Sequence, residues 1–315
     1  KQQGKYYVPQ RASAGLDPWV TPQAYDNAKE FFDTGITWSN SLNVAQMLDK
    51  SSYSISLGNT HQDGIISSTG MDRYNVKVSA DTKLTNNWSS GFTANYITTS
   101  IDKAVTSGNG LLRTVYAAPP SYDLAGIPSH VDGNQYTQNS FRGSFDNAYW
   151  AMDNNKFTED TNRFFGNVYA SYQTDFGTTN HKLNAKYMVG VDAYTTHYVD
   201  SYGYGSNTGG GRGQIENYGW TNATYNSLLT INYDWHINED WGLNAVLGNE
   251  IIQSNRKKYY EYGTNYNFPG WNHINNATTQ QTEEETWKNR TVGFFGNVSA
   301  SYKNMLYLTL TGRQD

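Results

Sequence analysis

Polar and apolar residues alternate along most of the chain in about ten stretches, and the connections between these stretches are short and long in turn. In the most regular stretch, 73–81, the odd-numbered residues are polar and the even-numbered residues are apolar. A period of two places the two sets on opposite faces of a β-strand. Tight turns at one end of the strands and long loops at the other are typical of a membrane-spanning β-barrel. The pattern therefore predicts an all-β fold, a transmembrane antiparallel β-barrel with about ten strands in this chain.

The first 37 residues show no such alternation, and we expect them to form an extracellular loop segment with one short helix. Thr21 is a suitable N-cap and Pro22 suits the first helical position, so the helix is predicted to begin there and to run toward Gly35.

Residues 38–315 are predicted to form the barrel segment. A helix is expected near Leu111–Ala117, before a Pro-Pro pair. Long outer loops are predicted at about 101–160, 203–214 and 263–283. A loop as long as 101–160 is unusual inside a compact soluble domain but ordinary on the outer side of a barrel.

Aromatic residues flank the predicted short turns, among them Trp88, Trp235, Trp241 and Tyr302. Membrane proteins place such rings at the level of the lipid headgroups, so one aromatic girdle is predicted at the short-turn side. The mean hydropathy of -0.73 is compatible with a barrel, because only every second strand residue contacts lipid. The net charge of -5 argues against nucleic acid as a partner.

The main structural alternative is a secreted β-sandwich or a repeat adhesin, whose strands also alternate. Such strands usually recur every 8–12 residues or so, without a systematic change between short and long connections. The two folds also differ in where the apolar side chains lie. A sandwich would bury them between two sheets, whereas a membrane barrel exposes them to lipid.

Several short pieces of sequence resemble one transporter family in their order and spacing. They read FFDTG at 31–35, NSLNV at 40–44, YSISL at 53–57, QDGI at 62–65 and RYNV at 73–76, with further matches at 84–91 and 307–315. Together they are similar to barrel strands of SusC/RagA-type TonB-dependent outer-membrane transporters. The middle of the chain, about 101–285, matches only in general barrel style.

This resemblance implies a barrel of 22 strands in the Gram-negative outer membrane, with an N-terminal plug domain inside it. It also implies energy supplied by the TonB complex and a SusD/RagB-like surface lipoprotein that acts as a lid. Members of the family import oligosaccharides or peptides. We expect the plug, the TonB-contact region and the C-terminal strands to lie outside this sequence.

Six aromatic residues in the predicted long loops are candidate contacts with substrate or with the lid protein. Exposed Trp and Tyr rings can stack on sugar rings, but loop aromatics also pack loops against one another, and both interpretations stay open. By their period of two, Arg73, Lys77 and Asp81 are predicted to face the lumen. The six loop aromatics are Tyr116, Tyr122, Tyr149, Trp150, Phe268 and Trp271.

No catalytic, cofactor-binding or metal-binding residues are predicted, because the six His residues are scattered and the chain has no Cys. The acidic run 283–285 is interpreted as a solvated loop edge or a cation or partner contact. The sequence thus favours an importer without enzyme activity. The alternatives are a passive porin, a barrel-based surface adhesin or an outer-membrane hydrolase.

Overall fold

Ten strands form one antiparallel sheet in the computed structural model, which describes residues 4–105 and 110–315. The strands of the chain are β1 Tyr6–Tyr7, β2 Trp19–Val20, β3 Thr37–Met47, β4 Ser51–Asp63, β5 Gly70–Lys83, β6 Trp88–Lys103, β7 His130–Val131, β8 Asn134–Gln138, β9 Lys156–Thr174, β10 His181–Tyr202, β11 Gln214–His236, β12 Trp241–Tyr266, β13 Ala277–Tyr302 and β14 Leu306–Gln314. The helices are α1 Pro9–Ser13, α2 Asn27–Phe31, α3 Leu111–Ala117 and α4 Ala148–Asn154, with a 3-10 turn at Ile274–Asn276.

The order of strands in the sheet follows the chain from β3 to β14, with β6 pairing directly with β9. β7 and β8 form a separate two-stranded sheet in the long segment between β6 and β9, and β1 pairs with β2. Antiparallel neighbours joined in sequence form a meander, which is how membrane barrels are built.

The strands are displaced along one another in a regular way. Ser52 is one residue from the short-turn end of β4, and seven successive strand pairings lead from it to Gly293, which is nine residues from the short-turn end of β13. The strands are therefore displaced by eight residues over seven steps, which corresponds to a tilt of about 38° for a rise of about 3.3 Å and a strand spacing of about 4.8 Å. Barrel strands tilt by about 35–45°, so the sheet has the stagger of a closed barrel.

One side of the sheet, called here the apolar face, carries exposed hydrophobic side chains. Leu247 is 63% exposed and Tyr74 is 53% exposed, and Val189 also remains accessible. A β-sandwich would bury these side chains against a second sheet. Their exposure excludes the sandwich interpretation for the described residues and fits contact with lipid.

The apolar face has the height of a membrane. On β12 it extends from Trp241 to Ile251, which is about 25 Å along the membrane normal at the tilt given above. Polar residues within this band have hydrogen-bond partners. The Asn249 side-chain amide donates to the Gly293 carbonyl at 3.0 Å, and the Ser90 hydroxyl donates to the Tyr169 carbonyl at 2.7 Å. Such pairing is what lipid exposure requires.

Two aromatic girdles border the apolar face. Near the short turns, the rings of Trp88 and Tyr172 lie 5.0 Å apart and those of Trp241 and Tyr302 lie 4.8 Å apart. A second set of exposed rings lies on the same face about 25 Å higher, which the sequence analysis did not predict. Its members are Trp38, Tyr74, Tyr96, Phe164 and Tyr225.

Strand pairing continues far above the membrane band, which corrects one predicted boundary. β12 and β13 extend into the predicted loop 263–283, so that the connection between them is only 267–276. β11 begins at Gln214, the last residue of the predicted loop 203–214. Above lipid both faces of a strand meet water, so the alternation that marks a strand in the sequence disappears. The wall of β12 rises about 39 Å above the apolar band.

The N-terminal segment packs against the long segment between β6 and β9. The Asn27 carboxamide accepts from the Leu124 amide at 3.1 Å, and the Tyr25 amide donates to the Pro120 carbonyl at 2.7 Å. A buried cluster joins the two segments and includes Phe31, Val115 and Trp150.

The helix at Leu111–Ala117 forms where the sequence predicts it. The N-terminal helix begins later than predicted, because the Asp26 carboxylate, and not Thr21, caps it by accepting from the Lys29 amide at 3.1 Å. Helix α1 was not predicted. Among the described helices, none is both long enough and apolar enough to cross a membrane.

Candidate functional site

The side of the sheet opposite the apolar face, called here the polar face, carries the charged residues of β5. Arg73, Lys77 and Asp81 share this side and are exposed. Within the described residues, neither Arg73 nor Lys77 has a carboxylate at ion-pair distance. Asp81 accepts a hydrogen bond from the Tyr169 hydroxyl at 2.6 Å. The first two residues therefore present free positive charges, whereas Asp81 is held by its neighbour.

Further along the polar face, charges of both signs are paired. Arg163 donates to the two carboxylate oxygens of Asp192 at 2.8 and 2.6 Å, a bidentate geometry. The ammonium of Lys186 lies 4.2 Å from the centre of the Tyr169 ring, within cation–π range. Hydroxyl, amide and charged groups thus cover this face and suit the passage of a hydrated, polar solute.

A group of aromatic rings lies on the polar face above the level of the membrane band, and is called here the ring cluster. The rings of Tyr198 and Tyr218 are stacked at 4.9 Å with an interplanar angle of 5°. Trp220 meets both edge-on, at 5.7 and 6.2 Å. Tyr260 extends the group at 6.5 Å from Tyr218. Because these residues stand on paired strands, the rings have fixed positions.

Arg256 connects the ring cluster to the next strand. Its guanidinium lies 5.3 Å from the centre of the Trp220 ring and 5.4 Å from that of Trp287, whose side chain is exposed. The indole N–H of Trp220 is buried without a hydrogen-bond partner among the described residues. The cluster therefore brings ring surface and a cation together at one place, whereas the Trp220 N–H is covered by the protein.

The ring cluster is missing from the sequence analysis, although it carries a signal. Tyr218 and Trp220 are two residues apart on β11, and Tyr198 and Tyr202 are four residues apart on β10, so each pair shares one face of its strand. Two aromatic residues at this spacing directly after the glycine-rich loop are the signal that points to the cluster.

Two of the six predicted loop aromatics are buried. Trp150 is 1% exposed and its indole N–H donates to the Gln135 carbonyl at 3.0 Å. Tyr122 is 6% exposed and packs against the Phe141 ring at 5.0 Å. For these two residues the packing interpretation applies, because a substrate could not reach either ring in this structure.

Tyr149 also contributes mainly to packing, whereas the remaining three are accessible. Tyr149 meets the Phe31 ring edge-on at 5.4 Å. Tyr116 is 68% exposed. Phe268 and Trp271 are stacked on each other at 5.8 Å, and about half of each side chain remains exposed.

Burial changes the ionisation of the loop tyrosines. It raises the pKa of Tyr122 to about 12, with a smaller contribution from the Asp123 carboxylate. The Tyr122 hydroxyl has no hydrogen-bond partner in the part of the chain that the structure describes. Burial also raises the pKa of Tyr149, and the carboxylates of Glu30 and Asp33 act in the same direction.

Asp146 holds the long loop to the glycine-rich loop between β10 and β11. Its carboxylate accepts from the Gln138 side chain at 2.7 Å, from the Ser206 hydroxyl at 2.5 Å and from the Asn207 amide at 2.7 Å. Hydrogen bonds to a charged acceptor are about twice as strong as neutral ones. The loops at the long-loop end therefore form a connected layer.

The acidic run 283–285 lies in β13 and not at a loop edge, which corrects the sequence interpretation. Glu284 pairs with Lys257 at 2.8 Å, and Glu285 pairs with Lys258 at 3.6 Å. These two carboxylates serve cross-strand ion pairs on opposite faces of the wall. In residues 4–105 and 110–315, no group of three His, Asp or Glu side chains could hold a metal ion.

Comparisons with known proteins place this geometry in context. No protein-family model matches the chain. The chain is 23% identical over 310 residues to TonB-dependent receptor P3 of Formosa agariphila, a match that covers 93% of this chain and 29% of that protein. The RagAB peptide importer in its "closed-closed" state matches with a TM-score of 0.73 and 16% identity, over 93% of this chain and 33% of the matched chain.

The resemblance to SusC/RagA-type TonB-dependent transporters is confirmed. The "open-open" state of RagAB gives a TM-score of 0.72 at 15% identity, over 93% of this chain and 33% of the matched chain. The chain thus has the fold of a segment of such a barrel, and it spans a third or less of the relatives that it matches.

Proposed function

We propose that this chain is part of an outer-membrane, TonB-dependent importer of oligosaccharides or peptides that works with a SusD/RagB-like surface lipoprotein. One observation carries the proposal. A single staggered sheet presents an apolar band of membrane height on one side and paired polar groups on the other. A wall with these two sides separates lipid from a hydrophilic passage.

The long-loop end of the sheet would face the outside of the cell. The N-terminal segment, 4–36, packs on the loop layer at that end, and we place both at the extracellular surface. The strands that rise above the outer leaflet would surround a vestibule. The plug domain and further strands would come from parts of the protein beyond this chain.

The ring cluster is our first candidate for substrate contact. Aromatic faces bind both the apolar face of a sugar ring and the flat side chains or backbone amides of a peptide. The exposed Tyr116, Phe268 and Trp271 remain candidates for contact with substrate or with the lid lipoprotein.

Arg73, Lys77 and Asp81 lie lower, at the level of the membrane band. We propose that they line the transport path or face the plug. The free charges of Arg73 and Lys77 would interact with carboxylates of either the plug or a passing substrate. TonB would supply the energy to move the plug, so that transport involves no covalent chemistry.

The experiment uses the full-length protein in its own cells. Uptake of a labelled peptide mixture and of a labelled oligosaccharide mixture is measured with TonB present and with TonB deleted. The proposal expects uptake of one mixture, abolished without TonB. Uptake that continues at the same rate without TonB would instead establish the passive porin.

Binding of the transported substrate to the purified full-length variants locates the binding site. Trp220→Ala and Trp287→Ala remove rings from the polar face, and each is expected to weaken substrate binding about tenfold. Tyr187→Ala removes an exposed ring from the apolar face and is the matched control. If all three variants bind substrate as the wild type does, the ring cluster is not the substrate contact.

A further inference from the structure

Three basic side chains lie on the apolar side of the sheet, immediately above the apolar band. They are Lys257 on β12 and Lys288 and Arg290 on β13, and are called here the basic patch. Arg290 follows Val292 upward on the same face, and Lys288 follows Arg290. Alternate residues rise by about 5 Å along the membrane normal at this tilt, so the patch begins within about 5 Å of the lipid-facing residues.

The charge of the basic patch is only partly compensated. Arg290 donates from Nε at 2.9 Å, and also from Nη2, to the side-chain oxygen of Gln253, a neutral acceptor. Lys288 lies opposite Asn255 in the register. Of the three residues, Lys257 is the one whose ion pair the structure describes, with Glu284 at 2.8 Å. Gln253 thus orients the guanidinium of Arg290, and because this partner is neutral it does not compensate the positive charge.

This concentration of positive charge is local. At the same height, on the same side of the sheet, β5, β6 and β9 carry Asp72, Asp102 and Asp160 instead. Asp72 pairs with His61 at 2.8 Å, and Asp160 accepts from the Ser100 hydroxyl at 2.6 Å. The rim above the lipid band is therefore basic at β12–β13 and acidic about the middle of the sheet.

We propose that the basic patch binds the phosphate groups of lipid headgroups in the outer leaflet. The inference rests on the outer-membrane location proposed above. The patch continues the lipid-facing surface, stands at headgroup height and carries the sign of charge that attracts phosphate. An Arg whose orientation is fixed by a neutral partner can still offer its remaining donors to a phosphate oxygen.

The test measures lipids retained by the full-length transporter. The protein is reconstituted in vesicles that contain phosphorylated lipid A, or the same lipid after enzymatic removal of its phosphates, and bound lipid is counted by native mass spectrometry. Arg290→Gln combined with Lys288→Gln removes the two charges for which the described residues provide no carboxylate at ion-pair distance. Lys50→Gln combined with Lys303→Gln is the matched control, because it removes two charges at the short-turn side.

The wild type and the control are expected to retain phosphorylated lipid, and the Arg290/Lys288 variant to retain about thirtyfold less. The dephosphorylated lipid should bind weakly to all three proteins. Excess inorganic phosphate should not displace the lipid, whereas displacement would show a site for free phosphate. Equal retention by the variant and the wild type, or equal binding of the two lipids, would overturn the inference.

The outcome is independent of transport. Membrane fractionation and the uptake assay are performed on the same variants. If the protein is in the outer membrane and imports substrate, but the Arg290/Lys288 variant keeps its lipid, only the lipid inference fails. If the wild type is absent from the outer membrane, the proposed function fails together with it.

Discussion

Leu247 lies near the middle of the apolar band and provides a direct test of which side of the sheet meets lipid. It is the fourth outward residue of β12 from the short turn, about 15 Å along the membrane normal. Its register neighbours on the same face are Ile231 and Gly296. Leu247→Arg would place a charge at the centre of the bilayer.

The size of the effect follows from depth. An Arg on the lipid face of a barrel costs about 2–4 kcal/mol at the midplane and about 0–1 kcal/mol near the interface. Val246 is one residue away and points to the polar face, opposite Asn232 and Asn297. Val246→Arg should therefore destabilise the protein by less than about 1 kcal/mol, because its charge remains hydrated.

A third variant controls for depth. Ala223 faces the same side as Leu247 but lies above the band, beside Ala193 and Asn255. Ala223→Arg should cost about 0–1 kcal/mol. The free energies are obtained from reversible urea unfolding of the full-length protein in lipid vesicles. A larger loss for Val246→Arg than for Leu247→Arg would refute the assignment of the two faces.

Three further predictions concern the loop layer. Trp150→Ala should create a cavity, destabilise the layer by about 3–5 kcal/mol and make the segment between β6 and β9 sensitive to limited proteolysis. Asp146→Ala should remove about 1.5–3 kcal/mol of hydrogen bonding to Ser206 and its neighbours, so that hydrogen exchange accelerates in the glycine-rich loop. Tyr122→Phe should stabilise the layer by about 1 kcal/mol, because it removes a buried hydroxyl without a described partner. Since the folded-state pKa of Tyr122 is raised from 10.0 to about 12, its packing stabilises the loops below pH 10, and this contribution is lost as the pH rises through 12.

Each loop prediction has a control that changes the same kind of residue where it is exposed. Trp271→Ala is the control for Trp150→Ala, and Asp153→Ala, on α4, is the control for Asp146→Ala. Tyr116→Phe is the control for Tyr122→Phe and should leave the alkaline loss of loop structure unchanged. Protection of the glycine-rich loop that survives Asp146→Ala would show that other contacts hold the loop layer together.

The membrane part of the fold was predictable because the two faces of each strand meet different solvents there. The alternation from Arg73 to Asp81 records lipid on one side and polar groups on the other. The upper girdle was harder to see, because its rings come from strands far apart in sequence. Tyr74 and Tyr225 reach the same height only when the register and tilt are known.

The upper wall could not be predicted in the same way. In residues 278–286 of β13, polar side chains occupy both faces, and a strand of this kind has no period in its hydrophobicity. The acidic run at 283–285 therefore has the sequence pattern of a loop. In the structure, Glu284 and Glu285 form ion pairs with Lys257 and Lys258 of β12. Cross-strand partners distant in sequence carry the information that the local pattern lacks.

Loop aromatics show another limit of sequence reasoning. Trp150 and Tyr116 are the same kind of candidate in the sequence, yet one is buried and the other is exposed. Trp150 lies in a buried cluster that also includes Phe31 of the N-terminal segment, whereas Tyr116 meets the Phe32 ring at 6.4 Å and stays exposed. Packing partners distant in sequence thus differ between the two rings, and the local sequence does not show them.

The rings of the ring cluster stand on a hydrogen-bonded ladder and not on loops, and this has a consequence for how selectivity can change. Under the proposed function, a substrate would meet side chains whose backbone is already immobilised, so little backbone entropy would be lost on binding. Exchanging Tyr218, Trp220 or Trp287 for another residue would then change substrate affinity while the strand pairing stays the same. Substrate specificity could therefore change during evolution through a few substitutions at alternate positions of two or three strands.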